Sequence, residues 1–155
     1  YSDFCDLILN FDETQINFTD DKVWTPLHYS CFKGHTDVTE YLLTNRANLN
    51  QQNKNGWTPL KLACQNGHIN VVELLLTQKA DVDKADNDNW TSLHLACSKG
   101  YKNIAELLLT HKANVNQQNK NGQTPVKLAY QNRHTDVVEF LLTREADVDT
   151  SDNEV

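Results

Sequence analysis

A period of 33 residues runs through almost the whole chain and constrains its fold more than any other feature. Related tetrapeptides, TPLH, TPLK, TSLH and TPVK, begin at Thr25, Thr58, Thr91 and Thr124. Leucine pairs and single alanines recur at the same spacing, at Leu42-Leu43, Leu75-Leu76, Leu108-Leu109, Leu141-Leu142, Ala47, Ala80, Ala113 and Ala146. A fixed period of about 20 to 50 residues predicts a stacked array, in which each unit buries its apolar face on its neighbours.

A second repetition, of 66 residues, lies over the first. Residues 50–68 read NQQNKNGWTPLKLACQNGH, and residues 116–134 read NQQNKNGQTPVKLAYQNRH. The units between them also match each other, with WTPLHYSCFKG against WTSLHLACSKG. Duplication of a block of two units is the simplest explanation of the 66-residue repetition, and it implies no chemistry.

Residues 53–85 show how one unit can fold. Asn55-Gly56 is a strong signal for a tight turn, because both central residues of such a turn take positive φ. Thr58 can cap a first helix, and Pro59 suits the first helical position, where no amide proton is needed. Gly67 can end this helix in a left-handed conformation. Apolar residues at helical spacing then predict a second helix, with Ile69, Val72, Leu75 and Leu76 on one face.

A turn, a short helix, a reversal and a longer helix within 33 residues resemble the ankyrin repeat. Residues 53–85 match almost all of the family pattern D/N-x-x-G-x-T-P-L-H-x-A, followed by G-H, V-V-x-x-L-L and A-D-V-N. The resemblance implies an all-α ankyrin-repeat solenoid of helix-turn-helix units joined by β-hairpin loops.

The same resemblance divides the chain into repeats. We expect full repeats at 20–52, 53–85, 86–118 and 119–151, a partial N-terminal repeat at 1–19 and the start of a following repeat at 152–155. On this interpretation the chain is a fragment of a longer ankyrin-repeat array.

Several positions depart from the family pattern. Val23 and Asn89 stand where the turn glycine is expected, and a β-branched residue tolerates positive φ poorly, so we expect a distorted first hairpin. Arg133 replaces the glycine that follows the first helix. Lys61 and Lys127 replace a histidine that would link neighbouring hairpins, and an ammonium group cannot accept a hydrogen bond. These departures predict a folded array of modest stability.

Composition excludes several classes of partner. The formal net charge is -7 and the isoelectric point about 5.2, which disfavours a nucleic-acid backbone. No run of about 18 apolar residues is present, so we expect no membrane insertion.

Cys31, Cys64 and Cys97 follow the 33-residue period, and no CxxC pair includes them or Cys5. Unpaired thiols in a reducing, cytoplasmic compartment are the interpretation we favour.

No catalytic motif of the GxSxG, HExxH or GxxxxGK[ST] type occurs. Five of the six histidines lie at repeated positions, which favours structural hydrogen bonds, and His111 alone lies off the pattern. An active site needs a unique convergent group of residues, whereas this chain places polar residues in columns. We therefore predict no enzyme activity, no catalytic residue, no metal ligand and no cofactor.

Residues that differ between repeats are free to bind a partner. Ankyrin-like proteins mostly bind other proteins through the hairpin tips and the concave face of the first helices, so the resemblance assigns this role to the matching positions here. The candidate protein-binding residues are Lys22, Trp24, Phe32, Lys33, Lys54, Asn55, Trp57, Gln65, Asn66, Asp88, Trp90, Lys99, His111, Lys120, Gln123, Gln131, Asn132 and Arg144.

Two interpretations of the aromatic candidates remain open. Trp24, Trp57 and Trp90 occupy one column, and they are either interface anchors or part of the packing between hairpins. Phe32 replaces a polar residue of the other repeats, which makes it the better single candidate for an anchor.

Charged residues separate by helix. Lysines at 33, 54, 61, 99, 120 and 127 are expected to project from the tips or first helices, while Glu40, Glu73, Glu106 and Glu139 form a column on the second helices. A basic groove and an acidic back follow, and an acidic or mixed partner segment fits the groove best. The alternative is that both are simply solvated faces.

These observations favour a monomeric, non-catalytic protein–protein interaction module that binds another protein or a peptide segment. The alternative is a structural spacer or elastic tether within a larger scaffold, cytoskeletal or channel protein.

Overall fold

The structure is a computed structural model that describes residues 15–144. Within these residues there are eight helices and no strand. The helices are α1 (Pro26–Lys33), α2 (Thr36–Thr44), α3 (Pro59–Gln65), α4 (Ile69–Thr77), α5 (Ser92–Lys99), α6 (Lys102–Thr110), α7 (Pro125–Gln131) and α8 (Thr135–Leu142). The all-α prediction is confirmed, whereas the expected β-hairpins are present only as tight turns.

Some of the sequence predictions lie outside the described residues. They concern Cys5, Ala146, the start of a following repeat at 152–155 and all but the last five residues of the partial repeat at 1–19.

The chain divides into two compact units, Tyr1–Ala80 and Asp81–Val155. In the first unit, α1 packs against α3, and α2 packs against α4. In the second unit, α5 packs against α7, and α6 packs against α8. Corresponding helices therefore lie side by side in each unit, which is how stacked repeats bury their apolar faces.

The first helix of each pair begins as the sequence predicts. The Thr58 hydroxyl accepts a hydrogen bond from the Lys61 amide at 3.3 Å, and Pro59 opens the helix. The threonines before α1, α5 and α7 cap their helices in the same way. Because these helices contain only seven or eight residues, they depend on packing for their stability.

Leucines of the repeated pattern form the core of each unit. Leu27, Leu42 and Leu75 are fully buried in the first unit, and Leu93 and Leu108 are fully buried in the second. Burial of one such side chain contributes about 1.5 to 3 kcal/mol relative to exposure. The 33-residue period is therefore a period of core positions.

The three cysteines that follow the period are buried and form no disulfide. Burial raises the pKa of the Cys31 thiol to about 12, and it also raises the pKa of the Cys97 thiol. Since the thiolate is the reactive form, both should resist iodoacetamide in the folded protein and react after denaturation. Mass spectrometry of the alkylated protein measures this directly, and rapid labelling of either thiol before denaturation would refute it.

Val23 keeps the turn geometry despite its β-branched side chain. Its φ is 62°, close to the 65° of Asn89 in the loop before α5. The Val23 amide donates to the Asp20 carbonyl at 2.9 Å, and the Asp20 amide donates to the Trp24 carbonyl at 3.1 Å. The loop before α5 makes the same two bonds at 3.0 Å each. The expected distortion of the first hairpin is therefore absent, and the strain lies in the backbone of Val23 itself.

Exchanging these two turn residues should change stability in opposite directions. Val23→Asn should raise the free energy of unfolding by about 1 kcal/mol, because asparagine tolerates the left-handed conformation better than valine. Asn89→Val should lower it by a similar amount. Urea unfolding followed by circular dichroism measures the stability of both variants. Unfolding midpoints equal to that of the natural chain would show that the turn carries no strain.

Candidate protein-binding surface

Two histidines in the first helices link adjacent helix pairs. His28 Nε2 lies 3.1 Å from the Trp57 carbonyl in the first unit, and His94 Nε2 lies 3.1 Å from the Gln123 carbonyl in the second. His28 Nδ1 accepts a hydrogen bond from the Thr25 amide at 3.0 Å, so Nε2 carries the proton and donates it to the carbonyl. Burial lowers the pKa of His28 and keeps the ring neutral.

Two further histidines link the pairs in the reverse direction. His68 Nε2 donates to the Phe32 carbonyl at 3.0 Å, and His134 Nε2 donates to the Ser98 carbonyl at 3.1 Å. Each ring lies so close to a glycine of the preceding pair that an added Cβ atom would be 2.6 Å from Nδ1 of His68, or 2.5 Å from that of His134. These four histidines therefore hold neighbouring helix pairs together through hydrogen bonds.

An aspartate or asparagine side chain at the start of the loop before each first helix fixes the loop tip, which is formed by the residues that follow it. Asp20 Oδ1 accepts hydrogen bonds from the amides of Lys22 and Trp24 at 2.9 and 2.8 Å. Asn53, Asp86 and Asn119 accept the equivalent pairs of bonds at 2.9 to 3.0 Å. Such bonds hold a turn in one conformation, so the side chains at the tip start from a rigid backbone.

Neighbouring tips are also joined within each unit. The Lys54 amide donates to the Lys22 carbonyl at 3.1 Å, and the Lys120 amide donates to the Asp88 carbonyl at 3.0 Å. In the second unit the two side chains also form an ion pair, with a distance of 3.7 Å between Lys120 Nζ and Asp88 Oδ1. Both are well exposed, so this pair contributes little to stability. The corresponding tips of the first unit carry two lysines.

All of the predicted binding residues are at least partly accessible. The exposed ones are Lys22, Phe32, Lys33, Lys54, Asn55, Asp88, Lys99, Lys120, Gln131, Asn132 and Arg144. The half-buried ones are Trp24, Trp57, Gln65, Asn66, Trp90, His111 and Gln123.

Several of these side chains also have partners within the protein. Asn66 and Asn132 each donate to a carbonyl four residues earlier, at 2.8 Å, and His111 does the same at 2.9 Å. Gln123 Nε2 donates to Gln131 Oε1 at 2.9 Å. The Arg144 guanidinium lies 5.4 Å from the centre of a phenylalanine ring in α8. The residues that cap helix ends are the weaker candidates, because binding through them would break those bonds.

Each tryptophan packs against the first helix that follows its loop. Trp24 contacts His28, with 5.9 Å between ring centroids, and Trp90 contacts His94 at the same distance. Trp57 lies 5.3 Å from the ammonium group of Lys61. Packing therefore buries part of each tryptophan side chain. The exposed part is accessible to a partner, so the role of interface anchor stays a prediction.

Lys61 does not project from the first helix as the charge pattern predicted. Its side chain is 0% exposed, and Lys127 at the same motif position is half-buried. Both occupy the place of the motif histidine, which faces the interior of the repeat. A long aliphatic stem lets a lysine fill this place beside an aromatic ring. Of the six lysines in the predicted basic column, the exposed ones are those at 33, 54, 99 and 120.

Sequence reasoning missed the role of Tyr29. Its hydroxyl donates a hydrogen bond to Asp20 Oδ2 at 2.6 Å. This bond lowers the pKa of Asp20 and raises the pKa of Tyr29 to about 12. The corresponding residue in the other repeats is leucine, at 62, 95 and 128. A tyrosine that breaks a leucine column was the signal that could have found it.

Two absences concern residues 15–144, the part of the chain that the structure describes. No cluster of three or more histidine, cysteine, aspartate or glutamate side chains there could hold a metal ion. In the same range, no helix has both the length and the apolar character needed to cross a bilayer.

Comparison with known proteins agrees with the arrangement of paired helices and capped loops. A family model for ankyrin repeats in three copies matches residues 1–86 and 72–152. The chain belongs to the ankyrin repeat family. Members of this family are generally protein–protein interaction modules. A search of curated proteins found no match.

Proposed function

We propose that this chain is a non-catalytic module that binds another protein through its loop tips and the exposed side of its first helices. One observation carries the proposal. The residues that repeat are used in caps, core and histidine links, whereas residues that differ between repeats remain accessible at the tips and on the first helices. Variation at accessible positions of a fixed scaffold is what partner recognition requires.

The loop tips suit this role because their backbone is already ordered. Hydrogen bonds to Asp20, Asn53, Asp86 and Asn119 define the turns. A partner that binds such tips does not have to order the loops, so less of the interaction free energy is lost.

A structural spacer remains the second candidate. The near-identical blocks at residues 50–68 and 116–134 favour it, since duplication lengthens an array without altering its surface. A spacer requires the residues that form the repeat scaffold, and it does not require particular residues at the loop tips.

Site-specific crosslinking separates the two candidates. A photoreactive benzophenone amino acid would replace Asn55 or Gln131 on the proposed face, and Glu73 or Glu106 on the second helices as matched controls. All four side chains are exposed. We expect a discrete crosslinked partner from Asn55 or Gln131 and none from the controls. No discrete product from either face would favour the spacer, and products from the controls alone would place the interface on the second helices.

A further inference from the structure

Trp24 contacts two other aromatic side chains, both of which belong to α1. The ring centroid of Trp24 lies 4.9 Å from that of Tyr29 and 5.7 Å from that of Phe32, the second pair in an edge-to-face arrangement. Phe32 is 37% exposed although it is a large apolar residue. We call Trp24, Tyr29 and Phe32 the aromatic patch.

The repeat fold does not require this patch. The loop and helix at the corresponding place in the second unit carry Trp90 with Leu95 and Ser98. That segment still forms the same capped helix as α1, with the same pair of hydrogen bonds in its loop. Tyr29 and Phe32 are therefore additions to the scaffold.

Hydrogen bonds and ring contacts fix the conformation of the aromatic patch. Asp20 Oδ1 accepts the amides of Lys22 and Trp24, and Oδ2 accepts the Tyr29 hydroxyl at 2.6 Å. Trp24 lies between the other two rings and contacts both. Rigid aromatic side chains bind with a small loss of conformational entropy, and aromatic residues dominate the energetics of protein interfaces.

The charges around the patch are mostly positive. Lys33 Nζ lies 5.3 Å from the centre of the Phe32 ring, and Lys22 and Lys54 are exposed at the two tips of this unit. Two carboxylates lie beside them: Asp21 is exposed, and Asp20 accepts hydrogen bonds from the amides of its own loop and from the Tyr29 hydroxyl of α1. The three lysines outnumber the two carboxylates, so this surface favours a partner with negative charge although the formal net charge of the chain is -7.

We propose that the aromatic patch and its flanking lysines bind an acidic peptide segment that contains a tryptophan or a large aliphatic residue. The apolar side chain would contact Phe32 and Trp24, and the carboxylates beside it would lie near Lys22 and Lys33. This inference rests on the proposed function, because it names the chemistry of the partner that the interaction module takes.

The test uses the whole chain and fluorescently labelled synthetic peptides. The first peptide contains one tryptophan and one leucine among glutamate and aspartate residues. In the second peptide lysines replace the acidic residues, and in the third serines replace the two apolar residues. A labelled single-stranded oligonucleotide is the fourth probe. We expect the first peptide to bind about tenfold or more tightly than the other three probes, and its affinity to fall as salt rises.

The variant Tyr29→Leu with Phe32→Ser reproduces the residues of the second unit, so the chain itself shows that the fold accepts them. It should bind the acidic peptide about tenfold or more weakly than the natural chain. Glu73→Gln, on an exposed position of α4, is the matched control and should leave the affinity unchanged. Equal binding by the double variant, equal binding of the serine or lysine peptide, no binding of the acidic peptide, or tighter binding of the oligonucleotide would each overturn the inference.

Crosslinking from position 55 distinguishes failure of this inference from failure of the proposed function. If the partner still crosslinks from position 55 in the Tyr29→Leu, Phe32→Ser background and the acidic peptide does not bind the natural chain, the patch is not the site and the interaction module stands. If neither position 55 nor position 131 gives a crosslink in the otherwise natural chain, and the natural chain does not bind the acidic peptide, both proposals are wrong.

Discussion

Gly34→Ala should lower the free energy of unfolding by about 2 to 3 kcal/mol. Gly34 has a φ of 74°, and a left-handed conformation costs a residue with a Cβ atom about 1 to 2 kcal/mol. The added Cβ atom would also lie 2.6 Å from Nδ1 of His68, so the imidazole would have to move. Its hydrogen bond to the Phe32 carbonyl would then be lost, at a cost of about 1 kcal/mol.

A double-mutant cycle separates the two causes. His68→Ala alone should cost about 1 kcal/mol through the lost hydrogen bond. In that background Gly34→Ala meets no imidazole, and only the backbone cost of about 1 to 2 kcal/mol remains. Urea unfolding of the four proteins gives the coupling free energy. Gly100 and His134 provide an independent copy of the cycle in the second unit. Additive effects in both cycles would mean that the histidine does not make glycine necessary.

Stability should fall as the pH falls from about 7 to about 5, in part because of His28. The ring is neutral, since Nδ1 accepts the Thr25 amide and Nε2 donates to the Trp57 carbonyl. Burial lowers the pKa of His28 in the folded protein below its ordinary value of 6.5. The unfolded chain therefore takes up this proton first, so the contribution is complete above about pH 6.5 and is lost progressively below it.

Replacing His28 tests this contribution. His28→Asn should cost about 2 kcal/mol at neutral pH, because the replacement is too short to link the Thr25 amide to the Trp57 carbonyl and buried polar groups lose their partners. The variant should also show a shallower loss of stability on acidification than the natural chain. His35→Asn, at an exposed histidine, is the matched control. Parallel stability profiles for the natural chain and His28→Asn would show that His28 does not titrate with unfolding.

The period made the fold predictable because each repeated residue has a structural reason. Thr58 caps the first helix of its repeat and Pro59 opens it, while Leu75 lies on the buried side of the second helix. These local signals agree with the stacking of units, so sequence alone predicted the all-α repeat fold and the two helices of residues 53–85. The prediction of a distorted first hairpin was wrong, because the hydrogen bonds of the turn outweigh the conformational preference of Val23.

The candidate site was less predictable because accessibility depends on packing that a column of similar residues does not reveal. Lys61 was assigned to the surface by its charge, yet the histidine place that it fills faces inward. Asn66 was assigned to binding, although its amide caps a helix end. Tyr29 was overlooked because its partner Asp20 lies in the loop nine residues earlier, and only the fold shows that the two meet.

The central claim is that the loop tips and the first helices form the interface. It is tested by the association and dissociation rates of the partner that crosslinking identifies, measured at two salt concentrations. We compare a tip pair, Lys54→Glu with Lys120→Glu, and a second-helix pair, Glu73→Lys with Glu106→Lys, and confirm by circular dichroism that both fold. The tip pair should slow association and reduce its salt dependence, because charges at the rim steer encounter. The second-helix pair should change affinity little. Loss of binding in the second-helix pair with unchanged binding in the tip pair would contradict the account.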